Sequence, residues 1–285
     1  MLETITFTNK KNQSVVIGDG STSQFVIEDI SGVSAPDAII NTSSTAGKDG
    51  SDFLNSAVGN RNIVLTIRIM GDASDGKRKL YQAFPIKREG TFRYKSDLYD
   101  VKIKGRVEKL EILPMAYPLV AVISLICTQP YFEAIDEVTA EITSITNGFY
   151  FPLVLPEEGI ALGVINQHYA ANIYNEGDVP LGLKVEFRAS GAVTNPKIIN
   201  TQTLEFIEIE ADLIAGDVVT VTTQDGNKRV TLVRNGEEYN YFNYLADGST
   251  FLELEEGDNE FQYTAAEGES NLYLRLSYTP LYVGV

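Results

Sequence analysis

The 285-residue sequence has no tryptophan, only one cysteine and one histidine, and no long apolar run. Because Cys127 is the single cysteine, an intrachain disulfide is excluded. Cys127 ends the apolar segment YPLVAVISLIC, which is typical of a buried structural thiol rather than a nucleophile. No stretch of about 18 apolar residues occurs, so the sequence predicts no membrane-spanning helix. The segment MLETITFTNK has no charged region followed by an apolar one, and we expect no secretory signal.

The scarcity of histidine limits the catalytic and metal sites that the chain can build. His168, in INQHYAAN, is the one histidine, which excludes zinc sites with several histidine ligands. A Ser–His–Asp triad needs only one histidine, but the G-x-S-x-G motif is missing: Gly268-Glu-Ser270 begins it and Leu272 stands at its last position. We therefore expect no enzyme, no metal and no cofactor. A pair of carboxylates acting as acid and base is the enzymatic alternative that the residues leave open.

Charge is divided unevenly along the chain. The net charge is −16, yet residues 1–130 hold 16 Lys and Arg against 14 Asp and Glu, whereas residues 131–285 hold 7 against 25. The segment from Lys77 to Lys109 carries 11 basic and 4 acidic residues. Such a shift in composition predicts two domains with different surroundings. The second domain is too acidic overall to bind nucleic acid or an anionic membrane by charge.

Alternation of apolar and polar residues dominates the sequence and predicts β-strands. In VLTIRIM, Leu65, Ile67 and Ile69 fall on one face, and LYLRLSY repeats the pattern. Turn signals recur at a spacing of about ten residues. Asp225-Gly226 and Asn235-Gly236 predict tight hairpins in which both central residues have positive φ. This rhythm is typical of an all-β fold of the sandwich or jelly-roll kind.

Helix is scarce and confined to the first half. The best candidate is DASDGKRKLYQAFP, a helix over about residues 73–84 that Asp72 or Ser74 would cap and Pro85 would end. The polar, Gly- and Ser-rich segment NTSSTAGKDGSDF, residues 41–53, predicts a loop or a β-arm.

The boundary between the two domains is placed near CTQPYFEA. The apolar strand ending at Cys127 closes the first half, and Pro130 interrupts the pattern where the charge composition also changes. We therefore divide the chain into an N-terminal domain of residues 1–133 and a C-terminal domain of residues 134–285.

Aromatic residues are interleaved with the basic segment Lys77–Lys109, which fits a surface for nucleic acid. VKIKGRVEK also alternates like an ordinary strand with Lys102 and Lys104 on its outer face, where lysines discourage edge pairing. The second interpretation is favoured. We expect a surface that tolerates DNA nearby without sequence-specific binding.

The order of turn motifs resembles that of a known family. The segments that carry the resemblance are GKDGSDF, RNIVLTIRIMGDASDGKRKLYQAF, CTQPYF, NEGDVPLGLKVEFRASGAVTNPKIIN, LIAGDVVTVTTQDGNKRVTLVRNGEEYN, LADGSTFLELEEGDNEFQYTA and LSYTPLYVGV. In the second half a Gly-Asp-x-Pro-x-Gly turn, an Asn-Pro, an Ala-Gly-Asp hairpin and a Gly-Asp-Asn turn follow one another. Each motif alone is unspecific. Their order makes the chain similar to the siphophage distal tail protein family, components of the tail baseplate hub.

The resemblance implies a fold and a set of partners. The N-terminal domain would be a ring-forming β-sandwich or barrel-like domain with one helix and a β-arm. The C-terminal domain would be a galectin-like jelly-roll β-sandwich. Family members form homo-hexameric rings between the tail tube protein and the tail-tip protein, and DNA passes through the channel without specific binding. The family has no catalytic residues to carry over.

We therefore expect a structural virion protein that is located at the tail tip, is assembled in the host cytoplasm, is not an enzyme and binds no membrane. The candidate residues for the ring interface or the channel wall are Lys77, Arg78, Lys102, Lys104 and Arg106. The alternative function is a cell-wall carbohydrate-binding module that aids host adsorption. The missing tryptophan and the acidity of the second half argue against it.

Overall fold

The computed structural model describes residues 4–18, 23–113, 118–142, 145–147, 163–165 and 170–285. Contacts divide the chain into two units, unit 1 with Met1–Ile135 and Leu281–Val285 and unit 2 with Asp136–Pro280. The last five residues thus join the first unit, which a single division after residue 133 does not anticipate.

Unit 1 is built around a closed β-barrel. Its first ten strands are β1 (Thr4–Asn9), β2 (Ser14–Gly18), β3 (Phe25–Ser31), β4 (Ala38–Ser43), β5 (Asp52–Val58), β6 (Arg61–Ile69), β7 (Glu89–Lys95), β8 (Asp100–Leu113), β9 (Leu119–Cys127) and β10 (Phe132–Ala134). Seven of them pair in the order β8-β7-β1-β2-β3-β6-β9, and pairing of β8 with β9 closes the barrel. The pair β2–β3 is parallel and the other pairs are antiparallel. The all-β prediction is confirmed, with a barrel in the first unit.

The barrel interior holds the apolar face that the alternation predicts. Leu65, Ile67 and Ile69 of β6 are buried, and so are Ile5 and Phe7 of β1. Because side chains alternate between the two faces of a strand, the polar residues of these strands lie on the outside of the barrel.

The helix α1 (Ala73–Ala83) confirms the predicted helix. Asp72 caps its N-terminus, since the Asp72 carboxylate accepts a 2.9 Å hydrogen bond from the backbone N–H of Ser74. Just beyond its end, the buried Phe84 ring stacks on Phe7 with centroids 4.3 Å apart. A helix this short gains its stability from such docking.

Unit 2 contains two larger antiparallel sheets. Its strands are β11 (Val138–Ile142), β12 (Ile145–Asn147), β13 (Gly163–Ile165), β14 (Ala170–Asn175), β15 (Leu181–Gly182), β16 (Lys184–Ala189), β17 (Val193–Asn200), β18 (Phe206–Glu208), β19 (Asp212–Leu213), β20 (Val218–Thr222), β21 (Arg229–Arg234), β22 (Glu237–Asn240), β23 (Glu253–Leu254), β24 (Gly257–Glu267) and β25 (Leu272–Tyr278). One sheet has six strands in the order β11-β25-β16-β20-β21-β22. The other has the order β14-β24-β17-β18, with β19 also paired to β17. The galectin-like description of this unit stays a prediction.

The two predicted hairpin turns differ from each other. Asn235 and Gly236, between β21 and β22, have φ of 54° and 80°, as the tight turn requires. The Asp225-Gly226 prediction is wrong, because only Gly226 has a positive φ there. The connection from Thr222 to Arg229 is longer, and within it the N–H of Asn227 bonds to the carbonyl of Gln224.

The end of the chain returns to unit 1 as strand β26 (Leu281–Tyr282), which pairs with β10. The buried Arg61 holds the segment that follows. Its guanidinium donates to the carbonyls of Pro130 and Val283, both at 2.6 Å, and to those of Gly32 and Ser34, both at 2.7 Å. The terminal residues are therefore held on unit 1, where the half-buried Tyr282 and Val285 pack against its core.

Candidate assembly surface

Metal ligands and a reactive thiol are the first candidates for chemistry in the described part of the chain. Within that part, no three His, Cys, Asp or Glu side chains are grouped so that they could hold a metal ion. Burial raises the pKa of the Cys127 thiol to about 11, which disfavours the thiolate that a nucleophile needs. His168 lies outside the described residues.

The described helices offer no membrane span either, since none of them is both long and apolar enough to cross a bilayer. The features of unit 1 that remain as candidate functional surfaces are an exposed apolar hairpin and a set of basic side chains.

Strands β4 and β5 form a two-stranded arm, a sheet of their own apart from the barrel. Every residue of β4 is exposed, and every residue of β5 except the last. Four large apolar side chains of the arm are between 56% and 65% exposed: Ile39, Ile40, Phe53 and Leu54. Four large apolar side chains exposed on so short an arm make it a candidate site of interaction with another surface.

Apolar side chains lie on both faces of the arm. Ile39 and Ile40 are neighbours in a regularly paired part of the arm, so their side chains point to opposite faces. Phe53 and Leu54 lie where the strand register shifts, and Leu54 has no partner across the arm. A two-stranded ribbon alone is marginally stable in water. The arm therefore presents apolar surface in both directions and gains stability when a partner covers it.

Three of the predicted site residues share the outer face of the barrel. Lys102, Lys104 and Arg106 occupy alternate positions of β8, where the residues between them are buried. Lys104 and Arg106 are exposed, and Arg106 forms an ion pair with Glu89 at 3.2 Å. The Nζ of Lys102 is half-buried and donates to the carbonyl of Ile135 at 3.4 Å. The structure thus brings these three cations together along one strand.

The other two predicted residues lie on α1. Arg78 is exposed and forms an ion pair with Asp75 at 3.4 Å, whereas Lys77 is half-buried. The helix packs against β1, β2 and β6. The five candidates therefore form two groups, and their place at an interface or on a channel wall stays a prediction.

Sequence reasoning missed the apolar character of the arm. The polar segment 41–53 covers only its tip and parts of its strands, and the adjacent apolar pairs Ile39-Ile40 and Phe53-Leu54 look like ordinary strand residues. The available signal was local: neighbouring apolar residues break the alternation expected of a half-buried strand. Such a pair leaves one apolar side chain on each face.

Comparison with known families supports the resemblance in the second half. Residues 176–282 match the family described as "Siphovirus-type tail component, C-terminal domain". The predicted resemblance to the siphophage distal tail protein family is confirmed. No curated protein sequence matches this chain.

Among solved structures, the fold resembles the Dit (gp 19.1) protein of phage SPP1, described as a paradigm of the hub adsorption apparatus in phages infecting Gram-positive bacteria. The TM-score is 0.69 at 15% sequence identity, and the match covers 97% of this chain and 98% of that one. At this identity the likeness shows the fold alone. A chain of the phage P2 baseplate in its activated, calcium-containing conformation matches with a TM-score of 0.49, 10% identity and 98% coverage of both chains.

Proposed function

We propose that the chain is a structural component of a phage tail baseplate. In this proposal six copies form a hub ring between the tail tube and the tail-tip proteins, and DNA passes through its channel. The observation that carries the proposal is the exposed apolar arm, β4 and β5, beside a barrel that is closed. The tail-component family matched by residues 176–282 and the Dit-like fold support it. The chain acts in assembly and not as an enzyme.

The arm has the properties of a subunit contact. A ring of identical copies needs one surface of each copy to fit a different surface of the next. The closed barrel has no free strand edge to offer, whereas β4 and β5 are paired only with each other among the described strands. Covering side chains such as Ile40 and Phe53 stabilises the contact by roughly 1–2 kcal/mol each. We therefore assign the arm to the next subunit of the ring.

The basic residues of β8 suit a wall that DNA passes. Lys104 and Arg106 attract phosphates without reading bases, and Glu89 offsets part of the charge of Arg106. A wall of this kind lowers electrostatic repulsion by the acidic remainder of the chain but does not hold the DNA in place. Lys77 and Arg78, on α1, are the residues that we place at subunit contacts.

The proposal is tested by the mass and shape of the assembly. The purified chain, alone and mixed with the adjacent tail protein, is examined by light scattering and by negative-stain electron microscopy. We expect rings with six times the 31.4 kDa mass of one chain. The double variant Ile40→Ser/Phe53→Ser should remain monomeric, because it removes the apolar contact. Ile214→Ser changes a side chain in unit 2 that is 51% exposed, and should assemble like the wild type.

Two results would overturn the proposal. Particles without sixfold symmetry in the presence of the tail partner would exclude the hexameric ring. Normal rings from the Ile40→Ser/Phe53→Ser variant would show that the arm does not carry the contact.

A further inference from the structure

Basic residues are rare in unit 2. Residues 136–280 contain 7 Lys and Arg against 24 Asp and Glu, a net charge of −17. Two of the seven do not lie on the outer face of the six-stranded sheet, and both form ion pairs. Lys197 pairs with Glu208 at 3.0 Å, and Arg234 pairs with Asp217 at 2.5 Å. The other five lie on the outer face of that sheet or at its end: Lys184, Arg188, Lys228, Arg229 and Arg275. We call this surface the basic face.

Strand register sets these side chains on one face. In β16 the buried Val185 and Phe187 alternate with Lys184 and Arg188, which therefore lie on the opposite, outer face. Thr222 of β20 faces Lys184 on one side and Arg229 of β21 on the other. Lys184 and Arg229 are thus two strands apart, a separation of about 10 Å. The cations form a row across the sheet.

A carboxylate at the centre of the row is already neutralised. Glu186 is 7% exposed and forms ion pairs with Lys184 at 2.5 Å and Arg188 at 2.6 Å. Burial raises the pKa of Glu186, but the hydrogen bonds from Lys184 and Arg188 outweigh this and hold the pKa below its usual value. Arg275 stands opposite Glu186, and its buried Nε has no hydrogen-bond partner within the described residues. The negative charge of Glu186 is therefore neutralised by cations of the protein itself.

The basic face carries a small positive charge in an acidic surrounding. Within the described strands and the β20–β21 turn, its acidic residues are Glu186, Glu141, Glu238 and Asp225, the last of which pairs with Lys228 at 3.4 Å. Five cations meet four carboxylates, so the rest of unit 2 carries a net charge of −18. Repulsion from that remainder is screened beyond about 8–10 Å at physiological salt. The overall acidity of the unit therefore does not prevent an anion from binding at this face.

A depression of about 380 Å³ lies at the β21–β22 end of the basic face. Its lining combines two cations, one carboxylate, an amide and aromatic residues, and is made of Lys228, Arg229, Val230, Thr231, Glu238, Tyr239, Asn240 and Phe242. The Phe242 side chain is 44% exposed. Tyr239 stands opposite the buried Leu232 in the strand register, so its ring lies on the other face of the sheet and only Phe242 offers a ring to the depression. A few polar groups around an aromatic wall are typical of small-ligand sites. The C–H face of a sugar ring packs on an aromatic ring while its hydroxyls bond to amide and guanidinium groups.

We propose that the basic face binds an anionic saccharide. One sugar ring would sit in the depression against Phe242, and its carboxylate or phosphate would pair with Arg229, on the side of the depression away from Glu238. The following units would run across the sheet towards Lys184 and Arg188. The site lies within unit 2 and does not depend on ring assembly. A protein partner would instead require a larger apolar centre than this polar face offers.

Calorimetric titration of the full chain tests the ligand class. The probes are tetragalacturonate, a maltotetraose carrying phosphate, neutral maltotetraose and a poly-glutamate peptide. We expect one or both anionic saccharides to bind about tenfold or more tightly than the neutral one, because an anion adds a charge-assisted bond to Arg229. Their relative affinities distinguish a carboxylate from a phosphate ligand. The site would be refuted if neither anionic saccharide binds. It would equally be refuted if poly-glutamate binds as tightly, since that identifies an acidic protein as the ligand.

Matched variants locate the site. Arg229→Gln and Phe242→Ala should each weaken binding about tenfold. Lys197→Gln removes the same charge from the other sheet, and Tyr174→Ala removes a ring that is 62% exposed on β14; both should bind like the wild type. Circular dichroism verifies that all four variants fold. Equal losses in Arg229→Gln and Lys197→Gln would show that overall charge, and not the basic face, attracts the ligand. The ring assay measures assembly and does not depend on saccharide binding. Each of the two proposals can therefore be refuted without refuting the other.

Discussion

The Arg61 guanidinium donates a 2.6 Å hydrogen bond to the carbonyl oxygen of Val283, 222 positions further along the chain. The other recorded acceptors of Arg61 are also neutral carbonyls, and the Phe132 ring lies 4.7 Å from its central carbon. Burial lowers the pKa of Arg61, so the carbonyl dipoles have to stabilise its charge. Through these hydrogen bonds Arg61, the first residue of β6, connects that strand to the last residues of the chain.

Replacing Arg61 should destabilise unit 1 strongly. Arg61→Met keeps an apolar stem but leaves buried carbonyls such as those of Pro130 and Val283 without a donor. We expect a loss of about 2–5 kcal/mol in the free energy of unfolding. Urea unfolding followed by circular dichroism measures it, since the chain has no tryptophan for fluorescence. Arg68→Met breaks an exposed ion pair with Glu28, which solvent screens, and should destabilise the protein far less than Arg61→Met. Equal losses in the two variants would contradict the role of Arg61.

Cys127 should resist thiol reagents in the native protein. Its side chain is fully buried, and burial raises its pKa from 9.0 to about 11. At pH 8 we expect labelling by a disulfide reagent only after denaturation, as measured by absorbance. Because the pKa is higher in the folded state, the related stability is present below pH 9 and is lost as the pH rises towards 11. The Cys127→Ala variant should lack this part of the alkaline destabilisation. Full labelling of the native protein would exclude a buried, inert thiol.

The ion pair between Asp217 and Arg234 should stabilise unit 2 at neutral pH and not in acid. The Asp217 side chain is 1% exposed, and the hydrogen bond from Arg234 lowers its pKa below the usual 3.8. A lowered pKa gives stability that is present above pH 3.8 and is lost as the pH falls through the folded value. Asp217→Asn should therefore lose about 2–3 kcal/mol at pH 7 and less in acid.

The pH dependence of this loss distinguishes charge from packing. Urea unfolding of wild type and Asp217→Asn is compared at pH 7 and at pH 3. Asp225→Asn removes a carboxylate whose side chain is 86% exposed, and should change stability by less than about 0.5 kcal/mol. A loss in Asp217→Asn that stays constant with pH would point to packing instead of the ion pair.

Gly90 should tolerate no larger side chain. A Cβ atom at this position would lie 2.3 Å from Cζ of Phe7 and 2.8 Å from the backbone oxygen of Thr8. Gly90→Ala should destabilise unit 1 by about 1–3 kcal/mol or more, because the buried ring and the strand backbone have to move. Thermal unfolding provides the measurement. Gly59→Ala is the matched control, since its Cβ would be 3.5 Å from the nearest side-chain atom. If both variants melt like the wild type, β1 and β7 are packed less tightly than described.

Features set by local chemistry could be predicted from the sequence. The buried face of Leu65, Ile67 and Ile69 follows from alternation alone, and α1 follows from a capping Asp72 and a terminating Pro85. The burial of Glu186 on the outer face of β16, by contrast, does not follow from alternation. Its neighbours Lys184 and Arg188 fold over it, and a one-dimensional pattern contains no information about that coverage.

Features set by long-range pairing could not be predicted from residues alone. Closure of the barrel depends on β8, whose register shifts between Val107 and Lys109 as it pairs with β9. Such a shift bends the strand, and no local residue pattern specifies it. The basic face was hidden for a similar reason. Its cations are far apart in the sequence, and the average charge of the second half is strongly negative. That average therefore predicted no basic surface in this half.

Because β26 returns to pair with β10, unit 2 is an insertion between two adjacent strands of unit 1. Glu133 faces Leu281 and Phe132 faces Tyr282 in this pairing, so the chain leaves unit 1 and re-enters it at adjacent strand positions. Residues 136–280 therefore replace the loop of a β-hairpin. A foreign domain with neighbouring ends could be grafted at the same two points without opening the barrel. A protease that cuts only one of the two connections would leave unit 2 covalently attached through the other.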